Sequence, residues 1–239
     1  MLLPDTHATT IEVPDAGAVD ALLMAPTAAQ ALVVLAHGAG AGMAHPFMTA
    51  LAEALAQRGL ATLRYQFPFM QRGSKRPDGP ALAQATVRAA VAAAQQLMPG
   101  RPLLAGGKSF GGRMTSQAQA QAPLPGVRGL VFAGFPLHAA GKPGIARAAH
   151  LAQVACPMLF LQGSRDALAD LALLQPVLAT LPQASLAVFD DADHAFHVRA
   201  RSGRTDAQVL QALAATTAAW WAARSAVNTS ALTARPAME

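Results

Sequence analysis

At 239 residues, with 53% hydrophobic and only 13% charged side chains, the chain is long enough to bury a substantial core and too apolar to be disordered. Its formal net charge of +5 is spread thinly, richest at Arg72, Lys75 and Arg76, and only 5% of residues are aromatic, so nucleic acid, which calls for clustered charge with interleaved aromatics, is not an expected partner. Cys156 is the one cysteine, which excludes an intrachain disulfide and a thiolate metal cluster, and no apolar run is long enough to span a bilayer.

Pro4, Asp5 and His7 interrupt the opening stretch before it can form a signal-peptide core, so the expectation is a cytoplasmic protein without membrane association. Residues 9–13 and 19–24 read as two strands joined by turn-forming Asp15, Ala16 and Gly17. A strand over 31–36 follows, then a helix over 46–58 that Gly59 stops. Residues 60–65 read as a strand and 66–80, with three prolines and two glycines, as a long loop of the kind that serves a site. A helix over 81–98 leads to a strand over 102–106 that runs straight into a helix beginning near Ser109.

Strands over 127–133 and 158–162 enclose a second long loop carrying Pro136, Gly141, Pro143 and Gly144. A helix over 168–181, kinked at Pro176, a strand over 185–189 and a closing helix over 205–224 complete the series. The expected organisation is one domain over 1–226, with a flexible tail over 227–239 where periodicity fails. Cys156, at the head of an apolar run, reads as a buried small residue.

Strands alternating with helices after an opening hairpin imply an α/β fold: a mostly parallel central sheet of about seven or eight strands with helices on both faces. Ligand crevices in such sheets lie at the carboxyl ends of the strands, so functional groups are sought just past strand ends.

Gly107, Lys108, Ser109, Phe110 and Gly111 sit between a strand and a helix, the setting of a G-x-S-x-G nucleophile elbow. The serine of such a turn stands above the sheet, and side chains two residues away on either side would collide with neighbouring elements. The rival is a phosphate loop, since Gly107, Lys108 and Ser109 spell the end of a Walker A motif. That motif also requires glycine where Pro102 stands, and the strand leaves no loop to wrap a phosphate.

A serine hydroxyl needs a base, and the base needs an acid to hold its tautomer. Asp166 follows the strand over 158–162 and His194 follows the strand over 185–189, which completes the order serine, acid, histidine. Asp166 is alternatively a helix cap, with Asp170 as reserve acid, and His197 competes with His194. Three glycines in the loop 37–42 let backbone amides approach a ligand, so Ala39, with Gly40 in reserve, and Phe110 are the expected oxyanion donors; an ordinary flexible turn is the plain alternative. Tyr65, Phe67, Phe69 and Met70 offer an apolar pocket wall and His138, with Lys142, a polar one, unless they are simply core or surface.

The strings LAHGAGAGMAHPFM, LRYQFPFMQRG, GGKSFGGRM, GFPLHAAGKP, LFLQGSRD and DADHAFHV resemble, in order and spacing, a branch of bacterial predicted α/β-hydrolases grouped with testis-expressed and NSL-complex hydrolase-like proteins. The resemblance covers 31–221 and implies an α/β-hydrolase fold of dienelactone-hydrolase size; the sequence itself carries no insertion large enough for a separate cap domain, so an open cleft is expected. The resemblance places the family nucleophile on Ser109, the acid on Asp166 and the histidine on His194. The expected function is a serine hydrolase, a carboxylesterase or related acyl hydrolase taking a small ester-like substrate with no cofactor and no metal. The alternative is a catalytically silent binding protein of the same fold.

Overall fold

In the computed structural model, residues 3–233 are described, with side chains up to 226. Eight strands form one sheet in the order β1-β2-β4-β3-β5-β6-β7-β8. Strands β1 (Thr6–Val13) and β2 (Gly17–Met24) make the expected hairpin, extended by three residues at its start and closed by Asp15 and Gly17 at positive φ. β2 pairs antiparallel with β4 (Leu60–Tyr65), and every later pairing is parallel, through β3 (Ala31–Ala36), β5 (Leu103–Lys108), β6 (Val127–Ala133), β7 (Met158–Gly163) and β8 (Ala184–Phe189).

The central strands are mainly apolar because both of their faces are covered, and β3 is apolar throughout. In β3, Leu32, Val34 and Ala36 enter one core layer and Ala31, Val33 and Leu35 the other. The first layer is roofed by α3 (Pro80–Leu97), α4 (Phe110–Gln121) and α5 (Leu171–Ala179), through Val87 and Val91, Met114 and Ala118, and Leu174 and Leu178. Helices α1 (Pro46–Ala56) and α6 (Asp206–Thr233) cover the other, where Met48, Leu51 and Leu55 share a core with Val209, Leu213, Trp220 and Trp221. Two helical layers around one sheet is the expected architecture, and the described residues contain no large cap domain.

Three local differences from the sequence expectation stand out. The loop over 66–80 holds a one-turn helix, α2 (Pro68–Gln71), begun by a proline at its first position, where a missing N–H costs nothing. α6 stays helical to Thr233, because an alanine-rich backbone favours helix without an apolar stripe to announce it. The remainder of the expected tail, 234–239, lies outside the described residues. Cys156 is only half-buried, with its thiol pushed up to about 11 by burial.

The chain passes from β3 to β4 on one side and then returns to β5 on the other. The crevice between the carboxyl ends of β3 and β5 is therefore the switch point at which such sheets bind ligands. Ser109 follows β5 and the glycine loop 37–42 follows β3, so both face that crevice.

Candidate active site

β5 continues two residues beyond its expected end, to Lys108, and α4 begins at Phe110, so Ser109 alone makes the turn. Its backbone has φ 49° and ψ −113°, a conformation that an L-residue holds only under constraint. The Ser109 N–H still donates to Ala133 O of β6 at 3.1 Å. The flanking glycines are forced by contact: a Cβ on Gly107 would lie 2.1 Å from Ala36 O, and one on Gly111 2.5 Å from His37 O. No side chain at either position leaves β3 where it is.

The structure brings Ser109, His194 and Asp166 together from three strand ends. Ser109 Oγ lies 2.8 Å from His194 Nε2, and His194 Nδ1 lies 2.7 Å from Asp166 Oδ2. An ionised carboxylate only accepts, so the Nδ1 proton points at Asp166 and Nε2 is left to accept from the serine hydroxyl. The Asp166 side chain is fully buried, whereas that of His194 is 25% exposed. Gln162 Nε2 donates to Asp166 Oδ2 at 2.5 Å, and the Leu168 N–H to Oδ1 at 2.8 Å. Gln162 is itself fixed, because its Oε1 accepts from the Phe135 N–H at 3.0 Å.

The turn carrying His194 is closed by Asp193, whose Oδ1 accepts from the N–H groups of Ala195 and His197 at 2.8 and 3.0 Å. Lys108 Nζ reaches across from β5 and donates to His194 O at 2.5 Å. The competing residues are occupied elsewhere. Asp170 caps α5 through the Ala172 N–H at 2.9 Å, and the exposed His197 pairs with Asp206 at 2.9 Å, which raises its imidazole pKa.

A cleft of about 360 Å³ opens beside Ser109, with Ala39 and Gly40 of the glycine loop on one side and His45, Phe47 and Met48 of the α1 entry on another. His37 braces the loop from beneath. Its Nδ1 donates to Gly38 O at 2.7 Å and its Nε2 accepts from the Phe67 N–H at 3.0 Å, while burial lowers its pKa to about 4 and keeps it neutral. Phe110, as the first residue of α4, has no preceding turn to take its amide proton.

The expected pocket walls are corrected. Phe67 and Phe69 are fully buried and Tyr65 is 1% exposed, because Phe67 and Phe69 pack inward on His37 and on Phe110, whose centroid is 5.3 Å from that of Phe67, and Tyr65 packs on Phe67. They buttress the elbow from behind and do not line the cleft. Met70 is half-buried against the same core. His138 is buried with both nitrogens engaged, Nδ1 with Ala139 O at 2.9 Å and Nε2 accepting from the Asp170 N–H at 3.1 Å; it ties two loops together and has nothing to offer a ligand. Lys142 is exposed. The walls that sequence reasoning missed, Phe47 and Met48, are separated from the glycine loop only by residues 43–46 and stand at the start of α1, and that nearness was the available signal.

Residues 29–222 match the family model of the alpha/beta hydrolase domain. The chain belongs to this family. Among solved structures, it is similar to a dienelactone hydrolase from Anabaena variabilis, with a TM-score of 0.72 and 23% identity over 92% of this chain and 98% of that one. An a/b serine hydrolase without lid from Xanthomonas campestris gives a TM-score of 0.71 and 24% identity over 92% and 97% of the two chains. For Est1E from Butyrivibrio proteoclasticus the values are 0.67 and 16%, over 88% and 97%. Likeness at these identities concerns the fold. No curated protein sequence matches the chain.

Proposed function

We propose that this alpha/beta hydrolase is a single-domain, cytoplasmic serine hydrolase acting on small carboxyl esters through an acyl-enzyme. The observation that carries the reading is the continuous chain of short contacts from Asp166 through His194 to Ser109 at the edge of an apolar cleft. In the first half-reaction His194 Nε2 takes the Ser109 proton as Oγ bonds to the ester carbonyl carbon. The Phe110 and Ala39 amides hold the oxyanion, and the imidazolium returns its proton to the departing alkoxide as the ester C–O bond breaks. Water then attacks the acyl-enzyme, gives its proton to His194, and frees the carboxylic acid and Ser109.

Asp166 accepts the Nδ1–H and stabilises the imidazolium between these steps. The similar structures, a serine hydrolase without lid among them, support the same class. The finer likeness to the bacterial branch grouped with testis-expressed and NSL-complex hydrolase-like proteins rests on the sequence strings alone. In the test, a fluorophosphonate is added and the intact mass read: one adduct is expected on the wild type and none on Ser109→Ala. Turnover of p-nitrophenyl esters of graded length then defines the acyl preference. Unlabelled, inactive wild type would overturn the reading.

A further inference from the structure

Lys75 and Lys142 are exposed, whereas Lys108 is folded into the site, its stem beside Gly38 and its ammonium beside the stacked rings of Phe47 and Phe196, 5.9 and 5.4 Å from their centroids. Enclosing a lysine is costly unless its charge is used, and a methionine would fill the same space without that cost. Gly134, at φ 69°, packs against this pair: an added Cβ would lie 3.0 Å from Nζ and 3.4 Å from His194 Nδ1, so a larger residue would press on the tip of the lysine. The charged and titratable groups around it are Asp166 from the loop after β7, Asp193 and His194 from the loop after β8, and His45 from the entry to α1.

We propose that Lys108 is a positioning residue, whose ammonium ties the backbone carbonyl of His194 to the strand that carries Ser109 and so holds the imidazole at proton-transfer distance. The contact is direct, Nζ to His194 O at 2.5 Å, and it joins the residue preceding the nucleophile to the residue serving as base, 86 positions apart in the chain. Among the described residues, the other hydrogen bond joining those two strand ends is the Ser109–His194 contact itself. The inference deepens the serine-hydrolase reading by supplying the part that makes the contact reproducible.

Burial lowers the Lys108 pKa to about 8, against the raising effect of Asp166 and Asp193. The ammonium is present below that pH and is lost as pH rises through it, so kcat/KM of the wild type should fall on an alkaline limb there.

The test compares the wild type with Lys108→Met and Lys108→Arg, each checked by circular dichroism. In Lys108→Met, kcat for a p-nitrophenyl ester should fall about 10- to 100-fold with KM nearly unchanged, as expected for a base displaced by a fraction of an ångström. The alkaline limb should vanish, and Lys108→Arg, which keeps charge and donor, should recover part of the loss. A space-filling role predicts the opposite ranking, since methionine fits and arginine crowds Gly134. Independently of turnover, the downfield proton resonance of the His194 Nδ1–H held by Asp166 should broaden or disappear in Lys108→Met. Wild-type kcat together with an unchanged resonance in that variant would overturn the proposal. If the wild type hydrolyses nothing, the serine-hydrolase reading falls, and the resonance comparison still decides the role of Lys108.

Discussion

Replacing Asp166 with asparagine changes one atom of a fully buried side chain and reverses the logic of everything it touches. Its Oδ2 accepts from both His194 Nδ1 and Gln162 Nε2, and its Oδ1 from the Leu168 N–H. With the asparagine oxygen kept on Leu168, the new NH2 faces two donors. Gln162 cannot turn its oxygen inward without abandoning the Phe135 N–H, so one donor is left facing another. A buried group left unsatisfied costs about 1–3 kcal/mol of stability. The imidazole can satisfy the NH2 only by moving its proton to Nε2, which then points at Ser109 as a donor and is useless as a base. The analogous change in serine proteases costs about 10⁴ in kcat, or roughly 5.5 kcal/mol at 1.36 kcal/mol per tenfold. Steady-state hydrolysis of p-nitrophenyl acetate by wild type and Asp166→Asn, beside a urea denaturation of each, measures both numbers. A folded variant retaining more than a tenth of wild-type kcat would refute the role given to Asp166.

The strain at Ser109 is separable from its hydroxyl, because alanine and glycine both lack the hydroxyl and only glycine accepts φ 49° freely. Ser109→Gly should therefore melt about 2–4 °C above Ser109→Ala, corresponding to about 1 kcal/mol, and equal melting temperatures would remove the strain argument. His37, neutral in the fold with a pKa of about 4 against an ordinary 6.5, binds its proton in the unfolded chain first. The stability it confers is complete above about pH 6.5 and is lost as pH falls toward 4, a loss of roughly 3 kcal/mol. His150, lowered to about 4 by burial and then by Arg113, acts in the same direction. Urea midpoints at pH 7 and pH 4.5 should therefore separate less in His37→Gln than in the wild type; an unchanged separation would contradict the assignment.

The strands were legible where both faces are covered. β3, β4 and β6 keep their expected bounds because burial on two sides leaves short, mainly apolar runs, interrupted only by Thr62 and Arg64 in β4 and by Arg128 and Gly129 in β6. The positions of Ser109, Asp166 and His194 were legible for a related reason, since each lies just past such a run. Side-chain direction in the loops was not. Tyr65, Phe67 and Phe69 look alike whether they face a ligand or the underside of the elbow, and only the close approach of His37 and Phe110 decides it. His138 was misread because a loop histidine gives no sign in sequence that both its nitrogens are taken. The cleft walls Phe47 and Met48 come from α1, whose role as cover for the sheet was visible while its first turn's second role beside the glycine loop was not.

The sheet order puts the serine and the histidine under unequal guard. β5 sits in the middle of the sheet between β3 and β6, but β8 is the last strand, partly exposed along most of its length and bonded on one side only. Edge elements open at lower cost than central ones. The hydroxyl thus rides on the sturdiest member of the molecule and the imidazole on one of its outermost, which leaves the loop contacts from Lys108, Asp193 and Asp166 to supply the rigidity that the margin of the sheet does not.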